Sequence, residues 1–111
     1  MSPRHSAFLW LAQRVSALVL AFCVLVHLIT MIIVVQGGLT AAEILARTQG
    51  SIPWLLFYSL FVIAVAIHAP IGLRHIAREH LKLGSGVEVI VSLFGLLLLI
   101  LGSRAIWGVF S

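Results

Sequence analysis

His68 lies inside a long apolar run of this sequence, where an unpaired imidazole is costly to bury in lipid. The segment reads His68-Ala-Pro-Ile-Gly72-Leu-Arg74-His75, so Gly72 follows one helical turn after His68 on the same face. Gly72 would let a large flat group approach the backbone, and the guanidinium of Arg74 at the end of the run could hold a carboxylate. A haem with two histidine ligands and propionate groups needs this combination, so the pattern predicts a haem site at His68.

Snorkelling to lipid headgroups is the alternative explanation for polar residues near the end of a membrane helix. It accounts well for the side chains at the end of the run and after it, which are His75, Arg78, His80 and Lys82. It does not account for His68, which lies about six residues, or roughly 9 Å, inside the membrane. His68 is therefore the residue of this segment that most needs a functional explanation.

The first apolar run carries a stripe of polar side chains. At about 100° per helical residue its members fall within about 60° of His27; they are Gln13, Ser16, Cys23, His27 and Thr30. Such a stripe must face a partner helix or a cofactor rather than lipid. Hydrogen bonding between helices explains Ser16, Cys23 and Thr30. His27, in mid-span between valine and leucine, is a second candidate ligand.

The two candidate histidines are predicted to lie at different depths. His27 is about 20 Å and His68 about 9 Å from the cytoplasmic edge of the membrane, at about 1.5 Å per helical residue. Two axial ligands of one haem face each other at a similar depth, so each histidine needs an opposite ligand from another chain. A symmetric pair of chains would supply two haem sites, and a single haem on His68 with a different partner subunit fits almost as well.

The composition shows that these residues belong to a membrane protein, because it excludes a soluble one. The chain has 111 residues, of which 62% are hydrophobic and 9% charged, and its mean hydropathy is +1.22. An average soluble domain has about 25% charged residues. The single cysteine also excludes a disulfide-stapled secreted domain, and the length allows one domain over residues 1–111. The net charge of +4 comes from cations scattered at segment ends, which favours membrane topology over nucleic-acid binding.

Long apolar runs predict an all-α integral membrane protein with three transmembrane helices in an up-down-up bundle. The spans are expected at about 8–35, 53–77 and 87–109. The last includes Arg104, which must reach the interface or be paired. The first run is too long for a cleaved signal peptide, so we expect a retained span. Thr40 and Glu43 form a capping-box pattern that predicts a short helix in the first loop.

The positive charges predict how the chain crosses the membrane. The cations on one side are Arg4, Arg14, Arg74, Arg78 and Lys82, and those on the other are Arg47 and Arg104. By the positive-inside rule, we expect a multi-pass protein of the inner (cytoplasmic) membrane with its N-terminus in the cytoplasm and its C-terminus outside.

The segment from His68 to His75 resembles the membrane-anchor cytochrome b subunits of succinate dehydrogenase and fumarate reductase, in their three-helix form. Those subunits carry H-x-x-x-G-[IL]-R-H on the second helix, and every specified position matches here. The likeness extends to the first run, where Gln13-Arg14-Val-Ser16-Ala is similar to the H-R-x-S-G entrance of the family. It covers nearly the whole chain.

The resemblance implies roles for particular residues. His68 is implied to be an axial ligand of haem b, with Arg74 and His75 near the haem propionates. Arg14 and Ser16 are implied to border a quinone pocket at the cytoplasmic end, close to a docked iron–sulfur subunit.

The chain also departs from the family pattern. Gln13 stands where the family has histidine, Ala17 where it has glycine, and Trp10 where mono-haem relatives place a quinone-binding serine. The spacing of His27 and His68 in addition resembles the first half of the single-chain anchors that bind two haems.

The function implied by the resemblance is electron transfer and anchoring in the respiratory chain and the tricarboxylic acid cycle. A flavoprotein would interconvert succinate and fumarate, and an iron–sulfur subunit would relay electrons. This chain, not catalytic by itself, would hold quinone and one or two haem b groups shared with a second anchor chain or a second copy. Two alternatives stay open: a small transporter or channel subunit with a histidine relay, and a structural anchor without haem. The acidic residues Glu43, Glu79 and Glu88 lie outside or at the ends of the spans, which disfavours the transporter.

Overall fold

The computed structural model describes residues 2–81, 84 and 86–111 of the chain. This part of the chain forms four helices, which are α1 (Pro3–Gly37), α2 (Ala41–Thr48), α3 (Ile52–Glu79) and α4 (Val87–Phe110). Helices α1, α3 and α4 are each long and apolar enough to cross a membrane. The predicted all-α fold, with three long spans and a short helix in the first loop, is thereby confirmed. Lys82, one of the cations on the predicted cytoplasmic side, lies outside the described residues.

Helix α3 is central, because both α1 and α4 pack against it. Along the first of these interfaces Ser16 lies beside His68, and His27 lies beside Tyr58. Positions further along α1 thus meet positions earlier in α3, so the two helices are antiparallel. The polar stripe of α1 lies on the side that faces α3, since Ser16 and Cys23 are its buried residues.

Two glycines bring α4 close to α3. A Cβ atom at Gly102 would lie 2.6 Å from Cγ1 of Val62, and one at Gly95 would lie 2.8 Å from Cγ of Pro70. Neither position has room for a larger side chain without movement of α3. Small residues allow such close approach of helices in lipid, where dispersion contacts rather than the hydrophobic effect hold helices together. These contacts fix the antiparallel register of α4 along α3.

The end of α1 and the start of α2 follow ordinary capping chemistry. Gly38 adopts a left-handed φ of 65°, and its N–H donates to the carbonyl of Val35. Thr40 caps α2, because its Oγ1 accepts a hydrogen bond of 3.2 Å from the N–H of Glu43. The short helix that this pattern predicted is confirmed.

The connection between α2 and α3 satisfies carbonyl groups at the end of α4. The N–H of Gly50 donates to the carbonyl of Phe110 at 2.8 Å, and Nε2 of Gln49 donates to the carbonyl of Ser111 at 2.9 Å. Gly50 has φ of 68°, a backbone conformation that favours glycine. Because the last carbonyls of a helix have no partner within it, these two bonds tie α4 to the α2–α3 connection.

Candidate functional site

His68 occupies the face of α3 that meets α1. It is half-buried, and its Nδ1 lies 3.4 Å from Oγ of Ser16. Ser16 is only 4% exposed, and its hydroxyl donates a hydrogen bond of 3.1 Å to the backbone carbonyl of Gln13. A hydroxyl on the neighbouring helix therefore contacts one nitrogen of the candidate haem ligand.

Gly72, one turn after His68, is covered by a side chain from α1. A Cβ atom at Gly72 would lie 3.3 Å from Nε2 of Gln13, so the glutamine amide fills the space that the glycine leaves. Oε1 of Gln13 is buried and accepts no hydrogen bond from any residue that the structure describes. The residue that stands in place of the family histidine thus lies directly against the Gly72 position.

Arg74 contacts the carboxylate of Glu88 on α4. Its predicted place near haem propionates stays a prediction. Nε of Arg74 donates to both carboxylate oxygens of Glu88, at 2.8 and 3.1 Å. Arg78, one turn further along α3, also donates to Glu88. Arg74 is 8% exposed, so its guanidinium is held between α3 and α4 at this end of the bundle.

A cleft of about 420 Å³ opens between the first half of α1 and the end of α3. It is lined by Ser6, Trp10, Gln13, Arg14, Ala17 and His75. The guanidinium carbon of Arg14 lies 5.5 Å from the centre of the Trp10 ring, which is cation–π distance. The cleft therefore brings together Trp10, Arg14 and His75, which the sequence placed near a quinone or near haem propionates. Ser16 is not among its lining residues, because its hydroxyl faces α3.

His27 lines a second and larger cavity, of about 590 Å³, at the other end of the bundle. Its imidazole meets the rings of Tyr58 and Phe61 edge-on, with centroid distances of 6.1 and 5.9 Å. Nδ1 of His27 is buried, and the described part of the chain offers it no hydrogen-bond partner. The remaining lining comes from α2, α3 and α4 and is mostly apolar, as in Leu98 and Ile106.

The two histidines lie at different levels of the bundle. His68 is level with Ser16, and His27 follows Ser16 by about eleven residues, or about 16 Å of helix. Within residues 2–81, 84 and 86–111 no three His, Cys, Asp or Glu side chains come together in a way that could hold a metal ion. Because about 16 Å of helix separates their levels, the two histidines cannot bind the same haem iron.

Sequence reasoning missed the role of Glu88. The residue was noted only as a carboxylate at the end of a span, whereas the structure places it against Arg74 and Arg78. The available signal was a lone acidic residue at the start of α4, just across a short connection from two arginines at the end of α3. In an antiparallel pair of helices these positions lie side by side.

Three long apolar helices, two histidines on facing helices and clustered cations at one end define a small multi-pass membrane protein. A family model described as the succinate dehydrogenase/fumarate reductase transmembrane subunit matches residues 1–102. The chain belongs to this family: it is an integral membrane anchor subunit, and the family implies a complex with flavoprotein and iron–sulfur subunits. The resemblance seen in the sequence is thereby confirmed. Searches among curated proteins and among solved structures found no match.

Proposed function

We propose that this anchor binds haem b through His68 and passes electrons between the iron–sulfur subunit and membrane quinone. The observation that supports the proposal is the position of His68 at the interface between α3 and α1. It is a half-buried imidazole within the central helix, and its Nδ1 lies against the Ser16 hydroxyl of the neighbouring helix. A histidine at the surface of the bundle would not have such a partner.

The contacts of the His68 imidazole fit a haem ligand, whereas the space beside Gly72 is filled by the Gln13 amide in this structure. Nδ1 faces Ser16, whereas Nε2 has no hydrogen-bond partner in the described part of the chain. Haem proteins commonly use neutral histidine as an axial ligand, and the second ring nitrogen usually contacts an oxygen. When bound, haem b supplies a one-electron carrier within the membrane. The role of this chain is to hold the imidazole and to exclude water from it.

A second ligand for that haem would come from a second anchor chain or a second copy of this one. His27 is too far along α1 to face His68 across one iron. His27 remains a candidate ligand of a second haem, because its buried Nδ1 has no partner among the described residues and borders the larger cavity.

For the quinone we propose the cleft beside Arg14. The Arg14 guanidinium can donate hydrogen bonds to a quinone oxygen, and the Trp10 indole offers a flat apolar surface for the ring. His75 borders the same cleft, and an imidazole there can give or take a proton as the quinone is reduced or the quinol is oxidised. Ser16 is left out of this site because its oxygen contacts His68.

The same end of the bundle would face the cytoplasm and the iron–sulfur subunit. Arg14 and His75 line the cleft there, and Arg74 and Arg78 lie nearby with Glu88. Arg47 and Arg104 lie at the opposite end of the bundle, near the start of α3 and the end of α4. The unequal number of cations supports a cytoplasmic N-terminus by the positive-inside rule.

The test is an optical spectrum of the complex purified in mild detergent. We expect a b-type haem signal in the reduced-minus-oxidised spectrum of the wild type and its loss in His68→Ala. His80→Ala is the matched control, because His80 is exposed at the end of α3. An unchanged spectrum in His68→Ala would refute the ligand assignment. A wild-type complex that contains the soluble subunits but no haem would favour the purely structural anchor.

A further inference from the structure

We infer that Ser16 is a positioning residue for His68. Its hydroxyl oxygen accepts a hydrogen bond from Nδ1–H of His68 and so holds the imidazole in the tautomer whose Nε2 is free to bind iron. The inference rests on the proposed haem ligation by His68. It gives Ser16 a role different from the quinone contact that the family resemblance implies.

The direction of the hydrogen bonds follows from counting protons. The Ser16 hydroxyl has one proton, and the carbonyl of Gln13, 3.1 Å away, can only accept. We assign the proton of Ser16 to that carbonyl because this contact is shorter than the 3.4 Å contact with His68. The oxygen of Ser16 is then left with acceptor capacity only, so its 3.4 Å contact with His68 requires the proton to be on Nδ1.

The burial of Ser16 strengthens its hydrogen bond with His68. Ser16 is 4% exposed, so water does not compete for its oxygen. A polar group in such a place must be paired within the protein or lose the free energy of its hydrogen bond. The contact also forms a relay from the Gln13 carbonyl through Ser16 to His68, in which each hydrogen bond polarises the next. The carbonyl thereby makes the Ser16 oxygen a better acceptor.

The chemical consequence concerns the haem that His68 would hold. An imidazole whose Nδ1–H is donated to an oxygen is a more electron-rich ligand, which favours the ferric over the ferrous state. Ser16 thus lowers the midpoint potential without touching the cofactor. If Ser16 were instead a quinone ligand, its loss would change quinone binding and leave the potential where it was.

The first experiment needs no haem. The full-length, haem-free chain, labelled with ¹⁵N histidine in detergent micelles at alkaline pH, reports the tautomer of His68 through its ring nitrogen shifts; His68→Ala assigns the signals. We expect the Nδ1–H tautomer in the wild type, its loss in Ser16→Ala and its recovery in Ser16→Thr. Thr30→Val is the matched control, because Thr30 is also on the stripe but donates to its own helix at Val26. An Nε2–H tautomer in the wild type overturns the inference, even if Ser16→Ala does not fold.

The second experiment measures the haem midpoint potential in the purified complex. We expect a shift to more positive potential in Ser16→Ala and a return towards the wild-type value in Ser16→Thr. A potential unchanged in Ser16→Ala, with an altered KM for quinone, would overturn the inference in favour of quinone contact. Absence of haem from the wild-type complex would instead defeat the proposed function, while the tautomer measured in the haem-free chain would still decide the Ser16–His68 bond.

Discussion

Arg74 on α3 and Glu88 on α4 form an ion pair at one end of the bundle, with Nε 2.8 Å from Oε1. The side chain of Arg74 is 10% exposed and that of Glu88 is 45% exposed, so the guanidinium is the more deeply buried partner. Arg78 adds a second cation to the same carboxylate. One acidic residue thus contacts two positively charged residues where α3 and α4 meet.

Removal of this carboxylate is expected to destabilise the bundle. Glu88→Gln removes the negative charge that contacts the buried Arg74 guanidinium, so we expect a lower thermal unfolding midpoint. The decrease should be smaller than for a fully buried pair, because Glu88 is half exposed. The measurement is the thermal unfolding midpoint of the detergent-solubilised complex. Glu79→Gln is the control, because Glu79 is exposed and, among the residues that the structure describes, its ionic contact is a long one of 3.8 Å with His75. Equal midpoints for the two variants would contradict a stabilising role of the Arg74–Glu88 pair.

The close contact between α3 and α4 should not tolerate a larger residue at Gly102. In Gly102→Ala the new methyl group would meet Val62 at 2.6 Å, so the helices must separate, at a cost of about 1–3 kcal/mol. Gly108→Ala is the control, because a Cβ atom at Gly108 meets nothing within 4 Å. The thermal midpoint should fall for the first variant only. The double variant Gly102→Ala, Val62→Ala should recover part of the loss, and a failure to recover would mean that Val62 is not the obstacle.

Loss of the Arg14 guanidinium should weaken quinone binding. A hydrogen bond from a charged group contributes about 1.5–3 kcal/mol, so Arg14→Leu is expected to raise the KM for quinone by about tenfold or more. Electron delivery from succinate to a water-soluble acceptor should stay the same, because that reaction does not use the cleft. Arg4→Leu serves as the control, since Arg4 is exposed and does not line the cleft. Similar KM values for Arg14→Leu and the wild type would place the quinone elsewhere.

Substitution of His27 distinguishes a second haem ligand from a polar residue that only lines a cavity. If His27 binds a second haem, His27→Leu should lower the haem content of the complex while the signal that depends on His68 remains. The measurement is the haem-to-flavin ratio together with the optical spectrum. An unchanged ratio, accompanied by a higher thermal midpoint, would contradict ligation. That result would follow from removal of a buried nitrogen that has no partner in the described part of the chain.

The sequence was sufficient for the architecture because the relevant signals are local. The length of each apolar run predicts a span, and Thr40 three residues before Glu43 predicts the cap of α2, which the structure contains. The antiparallel order of the long helices follows from short connections. None of these inferences requires knowledge of how one helix is rotated about its axis relative to another.

The contacts within the candidate site depend on helix rotation and register, which no local signal gives. Ser16 and Arg14 are two residues apart on α1, yet the first meets His68 and the second lines the cleft with Trp10. Likewise, the partner of Arg74 depends on where α4 lies along α3. Gly95 and Gly102 decide that register by their fit against α3, and the pattern of apolar residues on α4 alone does not reveal it.

The hydrogen bonds from Gln49 and Gly50 to the end of α4 have a mechanical consequence for the whole bundle. Together with the Arg74–Glu88 pair at the other end, they fasten α4 to the rest of the chain at both of its extremities. A slip of α4 along α3 by one turn, about 5.4 Å, would break both sets of contacts, so these contacts oppose sliding of α4. Helix α1 packs against α3 without comparable ties at its ends among the described residues, and Ser16, Arg14 and His27 are all on α1. A small roll or slide of α1 would therefore alter both cavities and the contact with His68 in a single movement.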